Sequence, residues 1–219
     1  MMADVFHRSF FLEGPAGSLE ALLWTVRAEK PGSAALVCHP HPLFGGTMHN
    51  KVVYQAAKTL HESGMPVLRF NFRGAGLSQG VHDGGRGELA DVRAALDYLA
   101  QEFPGVPILL AGFSFGACVG LSVGCQDSRV MRLVGLGIPL VRCGMTYLEQ
   151  CAKPKLFISG GNDEFGPRKK IEALFATLPE PKRLKIVEGV DHFFAGKLPE
   201  VGAELADWLH SSQVGSESS

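Results

Sequence analysis

Short apolar runs alternate along the chain with longer segments in which apolar residues recur every three or four positions. The runs at 34–38, 67–72, 107–111, 133–138, 155–159 and 184–187 lack the in-and-out alternation of a half-exposed strand. Strands read this way when both faces are buried, as in a parallel sheet with helices on each side. The segments 51–62, 88–103, 115–124, 168–178 and 201–210 have helical period. In 88–103, Leu89, Val92, Leu96, Leu99 and Phe103 form one stripe, while Glu88, Asp91, Arg93 and Asp97 fall elsewhere. This alternation predicts a mostly parallel, doubly wound α/β sheet. Two further strands, 5–11 and 19–26, flank Glu13-Gly14-Pro15-Ala16-Gly17, whose turn-forming residues predict an antiparallel N-terminal hairpin. A single domain over 1–210 is expected, followed by a small polar tail, 211–219, expected to be disordered. The short stretch between Ile138 and Lys155 leaves no room for a lid domain, so a site at the sheet edge should be open.

Composition adds mainly exclusions. The chain is 46% hydrophobic and 20% charged, enough for a globular core. A formal net charge of -1 provides no overall field for phosphate backbones or anionic lipid, so no nucleic-acid partner is expected. Met1 to Arg8 lacks the basic start and apolar stretch of a signal peptide, and no apolar run approaches the roughly 20 residues needed to cross a bilayer. No membrane association and a cytoplasmic location are therefore expected. Five scattered cysteines, an odd number, predict free thiols in a reducing compartment. Cys38, His39, His41 and His49 invite a metal reading. However, 38–41 ends a strand, where successive side chains point to opposite faces, and no second ligand pair stands nearby, so no metal is expected.

The candidate chemistry begins with a serine. The pattern G-x-S-x-G, which lets a serine occupy a strained turn between strand and helix, occurs around Ser78, Ser114 and Ser122. Context separates them. Ser114 directly follows the apolar run ending at Ala111 and directly precedes a helical segment. Ser122 lies two turns into that same helix, where it can at most bond a backbone carbonyl. Ser78 is separated from its strand by Arg73-Gly74-Ala75-Gly76 and is followed by a loop, which marks it as structural.

A serine hydroxyl becomes a nucleophile only when a base takes its proton and an acid orients that base. Asp163 follows the strand at 155–159 and a glycine turn; His192 follows the next strand in the equivalent place. Asp191 adjoins His192 and would point away from its ring, and His210 near the end of the last helix reads as solvated. An oxyanion also needs backbone donors. One is expected from Phe115; the second should come from the loop His39-Pro40-His41-Pro42-Leu43-Phe44-Gly45-Gly46. Pro40 and Pro42 have no N–H, leaving His41, Leu43 and Phe44, with Leu43 favoured because the prolines could present the amide after them. Phe44, Phe113, Phe165 and Phe193 are candidate apolar walls for substrate, although core packing is the commoner use of such side chains.

With these motifs in this order, the chain resembles the α/β-hydrolase superfamily, and within it the lidless dienelactone-hydrolase-like and small bacterial serine hydrolases. The likeness runs from the His39-Pro40-His41-Pro42 loop through Asn71-Phe72-Arg73-Gly74-Ala75-Gly76-Leu77-Ser78 and the Ser114 turn to Asp163 and His192. It implies a serine-esterase mechanism without a cofactor, acting on a small-molecule ester, with Arg73 in a loop-fixing ion pair. Dienelactone hydrolases proper carry cysteine where this chain has Ser114, so their substrate does not transfer. His39-Pro40 stands where the superfamily commonly has His-Gly, which leaves the second oxyanion donor open. Thioesterase and peptidase activities use the same triad, and a non-catalytic binding module is the alternative of another class.

Overall fold

The computed structural model describes residues 6–27 and 30–214. The first pair of strands, β1 (Phe6–Gly14) and β2 (Gly17–Thr25), is antiparallel around the two-residue loop Pro15-Ala16. Six more strands follow: β3 (Ala34–Cys38), β4 (Val67–Phe70), β5 (Ile108–Phe113), β6 (Val130–Leu136), β7 (Lys155–Gly160) and β8 (Lys182–Val187). Together they make one eight-stranded sheet in the order β1-β2-β4-β3-β5-β6-β7-β8, parallel from β4 to β8. This is the mostly parallel sheet that the sequence pattern predicts, with its antiparallel N-terminal pair, and it has the α/β-hydrolase type that the resemblance implies.

Five helices cover the sheet: α1 (Lys51–Glu62), α2 (Arg86–Glu102), α3 (Phe115–Gln126), α4 (Arg168–Thr177) and α5 (Leu198–Val214). The strands between them are buried on both faces because each face has its own core. In β3, Ala34, Leu36 and Cys38 pack toward α2 and α3, while Ala35 and Val37 pack toward α1 and α5. Helix starts are fixed locally. Asn50 Oδ1 accepts the Val52 N–H at 2.9 Å at the start of α1. At α2, the Glu88 carboxylate accepts the N–H groups of Asp83 and Gly85 at 3.0 and 2.9 Å.

α5 continues through 211–214, past the domain end expected at residue 210. Ser211 Oγ donates to the Trp208 carbonyl at 3.1 Å. The remainder of the expected tail, 215–219, lies outside the described residues. Among those residues no helix is long and apolar enough to cross a membrane.

The topology places a site before any side chain is considered. From β3 the chain crosses to β4 on one side, and from β4 it crosses back to β5 on the other. The loops after β3 and β5 therefore diverge at the carboxyl edge, leaving a crevice where ligands bind in open α/β sheets.

Candidate active site

Ser114 occupies the sharp turn between β5 and α3 with φ 55° and ψ -120°, a left-handed conformation that a non-glycine residue keeps only when its surroundings impose it. Gly112 and Gly116 make that turn possible. A Cβ on Gly112 would lie 2.4 Å from the Gly116 carbonyl oxygen, and one on Gly116 would lie 2.4 Å from the Cys38 carbonyl oxygen. Ser114 thus stands at the mouth of α3, beside the end of β3.

The acid and the histidine reach the same edge from the loops after β7 and β8. His192 Nε2 is 2.8 Å from Ser114 Oγ, and His192 Nδ1 is 2.8 Å from Asp163 Oδ2. Asp163 is buried, and its other oxygen accepts the N–H groups of Phe165 and Gly166 at 2.8 and 2.9 Å. Those bonds fix the carboxylate. Its hydrogen bond in turn holds the imidazole with Nδ1 protonated and Nε2 free to accept from the serine. Asp191 turns away from the ring, as its position predicts, with Oδ1 accepting the Phe193 and Ala195 N–H groups. The other two G-x-S-x-G serines have other surroundings. Ser78 Oγ donates to the Asn71 carbonyl at 2.7 Å and accepts the Glu20 N–H at 2.9 Å, tying the loop after β4 to strand β2. Ser122 lies within α3 and faces the cleft beyond Ser114.

The loop after β3 corrects one expectation. The N–H of Leu43 donates to His41 Nδ1 at 3.3 Å, and the Leu43 side chain is exposed outside the cleft. The Phe44 N–H is also committed, to the His41 carbonyl at 3.1 Å. The prolines stiffen a short 3₁₀ turn that consumes these amides and do not aim them at the serine. Among the described residues the His41 and Phe115 N–H groups have no acceptor, and both residues line the cleft.

His39, which the sequence reading passed over as a functional residue, holds that loop in place. Its Nδ1–H donates to the Pro40 carbonyl at 2.6 Å, and its Nε2 accepts the Phe72 N–H at 2.9 Å. Both ring nitrogens of this fully buried residue are occupied, and burial holds its pKa down at about 4. Arg73, on the neighbouring loop, is paired with buried Asp91 at 2.7 Å, the loop-fixing role expected of it. No group of three His, Cys, Asp or Glu side chains that could hold a metal occurs among the described residues.

The cleft above Ser114 encloses about 960 Å³. Phe44, Phe165 and Phe193 line it, but Phe113 does not. Phe113 is wholly buried and packs against the imidazole of His192, with ring centroids 5.1 Å apart, so it supports the histidine and is not a substrate wall. Side chains alternate across β5, and the residue before the turn falls on the inner side. Phe165 and Phe193 also pack on His192, at 4.8 and 5.2 Å.

A second correction concerns the cysteines. Cys118 on α3 and Cys143 are joined in a disulfide beside the cleft, leaving Cys38, Cys125 and Cys151 as thiols. Separation by 25 residues hid the pair in the sequence; the segment after β6 folds back on α3 and brings the two Cα atoms to 6.3 Å. The cysteine pattern therefore no longer argues for a reducing compartment.

A family model described as an alpha/beta hydrolase domain matches residues 35–213. An uncharacterized protein of Rickettsia prowazekii (strain Madrid E) is 36% identical over 213 residues, covering 93% of this chain and 89% of its own. Among solved structures, an alpha-beta serine hydrolase homologue from Coxiella burnetii is 37% identical, with a TM-score of 0.86 over 94% of this chain and 98% of its own. One from Xanthomonas campestris, described as a member of the serine hydrolases without lid, is 32% identical, with a TM-score of 0.85 over 94% of each chain.

Proposed function

Because this chain belongs to the α/β-hydrolase family, we propose that it is a serine hydrolase that cleaves small carboxylic esters through an acyl-enzyme on Ser114. The observation that carries the reading is the continuous relay from Ser114 Oγ through His192 to Asp163, with both links at 2.8 Å. Ser114 Oγ attacks the acyl carbon while His192 Nε2 accepts the hydroxyl proton, and the carbonyl oxygen becomes negative. The free N–H groups of Phe115 and His41 are the donors for that oxygen. The imidazolium, steadied by Asp163, returns its proton to the departing alcohol as the carbon–oxygen bond breaks. Water then repeats the sequence: His192 takes its proton, hydroxide oxygen bonds to the acyl carbon, and Ser114 leaves with the proton restored.

Turnover of chromogenic esters of increasing acyl length, compared with acyl thioesters and aminoacyl amides, tests this assignment. Esters should be cleaved fastest, and Ser114→Ala should lower kcat by at least about a thousandfold. Faster cleavage of amides, or ester turnover unaffected by Ser114→Ala, would overturn it.

A further inference from the structure

The cleft beside Ser114 has an uneven distribution of charge. No aspartate or glutamate is among its described lining residues, and its one permanent cation is Arg142. Arg73, Arg129, Arg168 and Arg183 are each engaged with a carboxylate. Arg142 has no ion pair among the described residues. We propose that Arg142 determines specificity by docking a carboxylate carried by the ester, so that the preferred substrates are esters with a free carboxylate in their acid or alcohol part. This rests on the ester-hydrolase reading above.

Three features support a docking role over an idle surface charge. The first is rigidity. The Arg142 N–H bonds the Pro139 carbonyl at 2.8 Å, the preceding Val141 N–H bonds the Phe165 carbonyl at 3.0 Å, and the following Cys143 is tied covalently to α3. The backbone carrying the guanidinium is therefore fixed on both sides, which lowers the ordering cost of binding. The second is connection to the reacting centre, because the ring of Phe165 packs on His192 at 4.8 Å. Arg142 and Ser114 thus stand in walls of one cleft held in register. The third is the lack of a competing permanent cation: the other basic side chains of the lining are imidazoles, of which His82 Nδ1 is engaged with the Glu88 carboxylate at 2.8 Å, while burial, reinforced by neighbouring His82, pushes the pKa of His41 down. A planar guanidinium among mostly apolar side chains suits a carboxylate, which it can hold with two parallel hydrogen bonds. With a net charge of only -1 over the chain, this attraction is local and not a long-range field.

The test compares matched substrates on the intact protein by pH-stat: methyl hydrogen adipate against methyl hexanoate, and 4-acetoxybenzoate against phenyl acetate. The charged member of at least one pair should have a kcat/KM about three- to tenfold higher, expressed in KM, and the advantage should shrink as salt is raised. Arg142→Gln should bring that ratio to about one, and Arg142→Lys should retain part of it. Arg142 is exposed, so the fold is not at stake in either variant. Ester turnover without preference for the charged member, or a preference that survives Arg142→Gln, would overturn the inference while leaving the ester reading intact. Absence of turnover on every ester would overturn both.

Discussion

His39 links the site's geometry to pH. Its ring bridges the loop after β3 and the start of the loop after β4, and it can accept the Phe72 N–H only while Nε2 is unprotonated. The unfolded chain takes up this proton below about 6.5, the folded chain only below about 4. Stability is therefore fully present above pH 6.5 and falls as pH drops toward 4, by up to about 3 kcal/mol for this fully buried group. Thermal melting between pH 4 and 7 should show this slope, and His39→Gln should be less stable at pH 7 with a flatter dependence; an unchanged slope would contradict the assignment. At the reacting centre, Asp163→Asn would remove the acceptor that fixes the His192 tautomer. It should reduce kcat by about a thousandfold or more without unfolding the protein. The convergence of Ser114, Asp163 and His192 was legible in the sequence because each lies in the turn or loop that follows an apolar strand. Which amides of the loop after β3 stay free was not, because Leu43 and Phe44 lose their N–H groups to a local turn that residue type does not announce. Phe113 was misread as a wall because an aromatic beside a nucleophile has the same composition whether it faces substrate or supports the histidine.

β3 and α1 are found at their expected limits, whereas β4 and β5, equally buried, differ from theirs by one or two residues at their ends. At the sheet edge the signal weakens. β8 begins at Lys182, two residues before its apolar run, because on an edge strand charged residues can alternate and find partners on neighbouring elements. Arg183 pairs with Glu204 and Asp207 of α5, Lys185 with Glu200, and the Lys182 ammonium donates to the Phe175 and Leu178 carbonyls at the end of α4. The disulfide joining α3 to the segment after β6 belongs to this scale as well. Alkylation under denaturing, non-reducing conditions should find three thiols, on Cys38, Cys125 and Cys151. Closing a loop of 25 residues should stabilise the native protein by about 3 kcal/mol, so a reductant should lower Tm by several degrees. Five alkylated cysteines would contradict that bond.

For the whole molecule, function follows from where the connections diverge. The crevice between the loops after β3 and β5 receives Ser114 from β5, Asp163 from the turn after β7 and His192 from the turn after β8, so residues 78 positions apart share one proton path. The alternation of strands and helices made this architecture legible. The shape of the cleft was not, since its wall between Pro139 and Tyr147 is irregular chain held by a disulfide and by the Val141 bond to Phe165. The central claim is that one serine of the three in G-x-S-x-G surroundings is activated by this convergence. Labelling with a fluorophosphonate followed by peptide mapping measures it directly. The phosphonate should be found on Ser114 alone, be lost in Ser114→Ala, and persist in Ser78→Ala and Ser122→Ala. Labelling retained in Ser114→Ala, or mapped to residue 78 or 122 in the unaltered protein, would contradict the account.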